Sequence, residues 1–257
     1  MELSLTEWLT GPLVVGVRIS GLMIFAPFFG HGAIPVRVKV VLVIFITAVL
    51  YPVYASRVGV VTLTQWPGVV ARELVLGIAI GLAANFVFEA AQMAGQILGV
   101  QMGYSLVNIL DPQTQVETTV VSMFHQTVAF LLFLQLDVHH WILRGIAHSF
   151  EYLSPGAVHL SRGLTAELLH GVAGILGTGL QIAAPVLAAT LVADVILGFL
   201  GKASPQMPLL LLGPAVKSMV GVGLLVTVIH YWPALFERYF AESVGFTERL
   251  LHLAGRS

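Results

Sequence analysis

Cysteine is absent from this 257-residue chain and charge is scarce: 12 Lys and Arg with 13 Asp and Glu amount to 10% of the residues. The first absence excludes disulfides, thiolate metal sites and cysteine nucleophiles together. The second excludes an ordinary water-soluble domain, in which about a quarter of the residues are charged. A formal net charge of −1 provides no basic field for a polyanion, so no nucleic-acid partner is expected. GxSxG, P-loop, HExxH and paired-carboxylate patterns are also missing, which leaves hydrolase, NTPase and zinc-protease chemistry without support. No catalytic residue, cofactor or metal is therefore expected. Nine histidines are present, and His139-His140 lie beside Asp137. Neighbouring side chains on a helix diverge by about 100°, however, so the pair does not form an i, i+4 chelate. Met1 to Thr10 carries Glu2 and Glu7 with no Lys or Arg, unlike the start of a cleavable signal peptide. The first hydrophobic segment is expected to be retained as a membrane helix.

The chain is instead rich in apolar residues, 57% of it by composition. Folded in water it would have too little polar surface to cover its core, so its surroundings must be lipid or other apolar helices. Uncharged stretches run over Val40 to Ser56, Leu74 to Phe88, Ala90 to Leu110, Thr118 to Leu136, Leu168 to Ala193 and Ser218 to Phe236, with Leu13 to Gly30 added despite Arg18. A span takes about 20 apolar residues. The expected fold is therefore an all-α polytopic membrane protein with about six hydrophobic, partly kinked helices arranged as hairpins, plus a C-terminal amphipathic helix. Two regions are ambiguous. Val69 to Val107, interrupted by Glu89, and Leu168 to Leu200, interrupted by Pro185 and Asp194, each read as one long helix or two short ones. No linker divides the chain, so residues 1–257 are expected to form one domain with residues 234–257 as its amphipathic tail. The Lys and Arg distribution leans towards cytoplasmic termini, with Arg57, Arg144, Arg162, Arg238, Arg249 and Arg256 inside and Arg37, Lys39 and Lys202 outside.

Several features sit on this framework. Gly77-x-x-x-Gly81 and Gly95-x-x-x-Gly99-x-x-x-Gly103 flatten helix faces for close packing, within the chain or against another subunit. Asn85, Glu89, Gln92, Gln96 and Gly103 fall in one sector about 60° wide at 100° per residue. Such a polar stripe faces a water-lined lumen, a subunit seam or internal hydrogen-bond partners, because lipid leaves polar groups unsatisfied. Arg18 and Asp194 are ionisable groups deep in apolar sequence; Arg18 reads more readily as a structural ion pair or as a snorkelling side chain. In the tail, Leu235, Phe236, Tyr239, Phe240, Val244, Leu250, Leu251 and Leu253 occupy one half of a helical wheel. Glu237, Arg238, Glu242, Glu248, Arg249 and His252 occupy the other. A helix of this kind lies on a membrane surface, docks a partner or packs on its own subunit. The segment Leu106, Val107, Asn108, Ile109, Leu110, Asp111 and Pro112 mixes apolar side chains with a helix-breaking proline, so it is neither a solvated turn nor a continuing helix.

These motifs together resemble the FliR family of flagellar export-gate membrane proteins and its counterparts in virulence-type injectisomes. The resemblance runs over nearly the whole chain. It rests on Arg18 through Pro27 and Gly30, then Ile34, Pro35, Arg37 and Lys39, then Glu73 with Gly77 and Gly81, Ala94, Gly95 and Gly103, and Asp111-Pro112. Its most specific part is Leu197, Gly198, Lys202, Pro205 and Gln206, followed by Gly213, Pro214 and Lys217. The chain departs from the family where Pro208 replaces a common Asn and Lys202 replaces a common Arg. The resemblance implies a helical export gate in the bacterial inner membrane, at the flagellar basal body. One copy of the chain is implied to join two other small membrane proteins, FliP-like and FliQ-like, with other export-apparatus proteins, and to pass unfolded exported proteins. It also implies that residues 106–112 plug the closed gate. From the residues alone, a secondary transporter using Glu89 and Asp194 stays as an alternative, and the resemblance leaves a virulence-type export subunit open as well.

Overall fold

The computed structural model describes residues 5–27, 34–55, 64–104, 119–159, 161–204, 206 and 208–255. Among these the secondary structure is helical: α1 (Leu5–Phe25), α2 (Val36–Tyr54), α3 (Trp66–Gln101), α4 (Val120–Gln135), α5 (Val138–Tyr152), α6 (Arg162–Ala203) and α7 (Leu209–Val228). A 3₁₀ turn (Ile229–Tyr231) then leads into α8 (Trp232–Ala254). The two ambiguous regions each resolve as one continuous helix, of 36 residues for α3 and 42 for α6. Glu89 does not break α3, because glutamate is a good helix former and this one is exposed. Pro185 lies inside α6, where it removes the helical donor to the Gln181 carbonyl without ending the helix. Merging these stretches lowers the number of spans. Four helical segments are long and apolar enough to cross a membrane, Val36–Tyr54, Trp66–Gln101, Arg162–Ala203 and Leu212–Ala254, and α4 with α5 would make a fifth as one bent span.

Helix ends follow local chemistry. Thr119 caps α4, its hydroxyl accepting the Ser122 N–H at 3.1 Å. At the end of α3, Gly103 adopts φ 87°. Its N–H donates to the Val100 carbonyl at 3.1 Å, and the Tyr104 N–H donates to the Gly99 carbonyl at 2.9 Å. This pair of bonds is the Schellman arrangement, which satisfies the last carbonyls of the helix and needs a residue free to take positive φ. Gly103 is thus the terminator of α3, where the sequence pattern placed it on the helix's polar face.

The contacts divide the chain into two compact units. The first comprises Met1–Phe86, Asp137–Val172 and Phe240–Ser257, and the second Val87–Leu136 and Ala173–Tyr239. In the first, Val15, Ile19, Leu22, Leu76, Ala79, Phe150, Leu164, Leu250 and Leu251 share one buried core. α1 lies against α3 backbone to backbone: a Cβ on Gly21 would meet the Leu74 carbonyl, and one on Gly77 the Arg18 carbonyl. The tail contributes to this core, since Phe246, Leu250, Leu251 and Ala254 are buried and Ser243 Oγ donates to the Ala83 carbonyl at 2.7 Å. In the second unit, α3 packs through Ala90, Ala91, Ala94 and Leu98, all buried, and Trp232 and Phe236 of α8 are buried as well. The apolar face of α8 is therefore covered largely by its own chain. Its polar residues Glu237, Arg238, Glu242, Glu248, Arg249 and His252 are exposed.

Candidate functional site

The first unit is built around a charge. Arg18, at mid-helix in α1, is fully buried with Glu73 of α3, also fully buried. Nε donates to Glu73 Oε2 at 2.6 Å and Nη2 to Oε1 at 3.1 Å, a two-pronged pair. Nη1 donates to the Ser149 carbonyl at 3.0 Å and to the Ser149 hydroxyl at 3.1 Å, and both terminal nitrogens reach the Leu153 carbonyl at 3.2 Å. The Gly156 N–H donates to Glu73 Oε1 at 2.7 Å, and the guanidinium carbon sits 4.3 Å from the centre of the Phe150 ring. A guanidinium suits this position because its planar fork addresses several acceptors at once. Arg18 is thus held in a buried ion pair with Glu73. Glu73 was legible only as part of the family pattern. The signal that would have found it is charge balance, since a buried cation needs a buried anion.

A second pair lies in the other unit. Asp194 of α6 takes Lys217 Nζ of α7 at 3.0 Å and the amide of Gln101, the last residue of α3, at 2.7 Å. It is half open to its surroundings, with side-chain exposures of 41% for Asp194 and 18% for Lys217. The Ser218 hydroxyl donates to the Met102 carbonyl at 3.4 Å beside it. Arg18 and Asp194 are thus each neutralised by an opposite charge on another helix.

A model of the bacterial export proteins, family 1, matches residues 9–243. The chain belongs to this family. It is similar to the flagellar biosynthetic protein FliR of Bacillus subtilis (strain 168), 26% identical over 248 residues that cover 95% of this chain and 96% of that protein. The flagellar biosynthetic protein FliR of Escherichia coli (strain K12) is 28% identical over 228 residues, 88% of this chain and 87% of its own. That of Aquifex aeolicus (strain VF5) is 25% identical, covering 87% and 86% respectively. The chain is thus a multi-pass membrane component of the flagellar export apparatus, and it associates with other proteins of that apparatus.

In this member of export family 1 the remaining motif residues are partly brought together. Along the α3 stripe, Glu89 is exposed while Asn85, Gln92 and Gln96 are half-buried. Gln92 is occupied inside the second unit, its carbonyl accepting Ser122 Oγ at 3.0 Å and its Oε1 accepting the Gln126 amide at 3.4 Å. Gly95 and Gly99 are buried against the start of α4, where added Cβ atoms would meet Ser122 and Thr119. A Cβ on Gly103 would meet Pro214. Of the family-motif loop, Lys202 and Gln206 are exposed, Gly213 is buried and Lys217 holds Asp194. Pro205 and the segment Leu106, Val107, Asn108, Ile109, Leu110, Asp111 and Pro112 lie outside the described residues.

Proposed function

We propose that the chain acts in the bacterial inner membrane as a component of the flagellar type III export gate, where it builds part of the wall of a channel for unfolded flagellar subunits. The observation that carries this reading is the family match over residues 9–243. Helix dimensions agree with it. At 1.5 Å per residue, α3 with 36 residues and α6 with 42 are about 54 and 63 Å long, well beyond a hydrocarbon core of about 30 Å. Helices of this length fit a raised assembly better than isolated spans. Beyond Arg37 and Lys39, α2 is strongly apolar, yet only 6% of its span is buried within its own chain, against 56% for α3. Its remaining surface requires lipid or neighbouring apolar helices.

The neighbours we assign are FliP-like and FliQ-like membrane proteins, among several copies of which this chain takes its place. The relatives named above are flagellar proteins, which favours a flagellar over a virulence-type gate. The segment after Tyr104 is assigned as the plug, with Leu106, Val107, Ile109 and Leu110 closing a pore that hydrophobic side chains keep dry. Two experiments test the reading. Coexpression with the two partners and purification in mild detergent should yield a stable hetero-oligomer; recovery of only a well-behaved monomer would sink it. Deleting part of Leu106 to Gln115 should leave that complex assembled while the membrane leaks ions or small solutes. Wild-type conductance from a normally assembled deletion variant would make the segment structural.

A further inference from the structure

Asp137 is the one residue other than glycine, among those described, whose backbone is left-handed, with φ 54°. Its carbonyl accepts the His140 N–H at 2.9 Å and so starts α5. An Asp in this place ordinarily turns its carboxylate onto the N–H groups of the first turn. Asp137 makes no such capping bond. Its Oδ1 faces two imidazoles instead, 3.4 Å from Nδ1 of His140 and 3.9 Å from Nε2 of His139. The two rings approach to 4.1 Å between centroids, and one donor atom from each of the three residues falls within 4.8 Å of the others. Adjacent histidines inside a regular helix would diverge. At this helix start they converge.

We propose that Asp137, His139 and His140 form a binding site for a divalent transition-metal ion of the zinc class, with solvent completing the coordination. Zinc bonds of about 2.0–2.1 Å at the tetrahedral angle hold two donor atoms about 3.3 Å apart. The Asp137 and His140 atoms already stand at nearly that spacing, and His139 needs only a small closing rotation. Two imidazole nitrogens with one carboxylate oxygen favour Zn²⁺, Co²⁺, Ni²⁺ or Cu²⁺ over Mg²⁺ and Ca²⁺, which prefer oxygen throughout. The site is open, with side-chain exposures of 69% for Asp137, 35% for His139 and 57% for His140, which leaves room for further ligands on a bound ion. None of these residues belongs to the export features described above, so the proposal stands apart from the channel reading.

The test uses the full-length protein in detergent, carrying no histidine tag and stripped with chelator. Titration with Co²⁺, read by its visible d–d absorption, and with Zn²⁺ against a chromophoric chelator should show one equivalent bound. His139→Ala with His140→Ala should weaken that binding by about tenfold or more, and Asp137→Asn, which preserves shape, should weaken it severalfold. His148→Ala and His230→Ala should leave it unchanged. The proposal is overturned if the double variant keeps wild-type affinity, or if the control variants lose as much as it does.

Discussion

Removing one half of the Arg18–Glu73 pair should strand a buried charge, which removing both halves does not. Arg18→Met keeps most of the side-chain volume and deletes the charge. Glu73, fully buried, then keeps the Gly156 N–H at 2.7 Å but no cation. Breaking a buried pair from one side costs about 3–5 kcal/mol, because the surviving charge is neither solvated nor compensated. A folded domain holds only about 5–15 kcal/mol in total, so this single change removes about a fifth of it or more. Glu73→Gln should lie at the lower end, about 3 kcal/mol, since the guanidinium retains the Ser149 and Leu153 carbonyls and the face of Phe150. In Arg18→Met with Glu73→Gln neither charge is stranded, and the loss should fall short of the two single losses added together by at least about 2 kcal/mol. The assay is thermal unfolding of the four proteins in the same mild detergent, with membrane accumulation as a second readout. The reasoning fails if Arg18→Met melts within about 0.5 kcal/mol of wild type, or if the double variant is strictly additive.

Two further perturbations probe packing. Gly77→Val places a side chain where the Arg18 carbonyl and Leu22 nitrogen of α1 already lie, and should cost about 1–3 kcal/mol, whereas Gly174→Ala, with open space around it, should be neutral or slightly stabilising in the same melt. Leu250→Glu buries a charge in the core of the first unit and should abolish accumulation of the chain, while Glu237→Lys on the exposed face of α8 should leave accumulation intact. Poor motility from Leu250→Glu with normal accumulation would instead mean that this face serves a partner.

Hydropathy made the helical membrane class legible, because long continuous apolar runs satisfy their backbone in lipid as helices, whereas barrel strands alternate over about 10 residues. The amphipathic tail was equally plain, although its occupant was not: a wheel diagram shows which half is apolar and cannot show that Leu250 and Leu251 meet the chain's own core. Arg18 and Asp194 stood out as charges in apolar surroundings. Their partners did not, because Glu73 lies 55 residues from Arg18 and sits beside Arg72 near the start of a helix, where a carboxylate reads as interfacial. The remaining differences arise where ideal helical geometry stops. Gly103 belongs to the polar sector only if α3 continues through it, and it ends the helix instead. His139 and His140 diverge only if they lie inside a regular helix, and the left-handed turn at Asp137 places them at its beginning.

The bareness of α2 bears on how the subunit recognises its neighbours. Its outward side chains include Val36, Val38, Val41, Ile44, Val49 and Val53, all exposed. In water such a surface would adhere to almost any apolar object. In a bilayer it adheres to nothing in particular, because the lipid tails it already touches are as oily as any partner helix. Selection then falls to fit. Valine and isoleucine are stiff at χ1 and hold one rotamer on a helix, so this face is a nearly rigid relief whose ridges exist before a neighbour arrives and lose little side-chain freedom when it does. A partner is chosen here by matching contour, and a single methyl group in the wrong place should count for more than any change in overall greasiness.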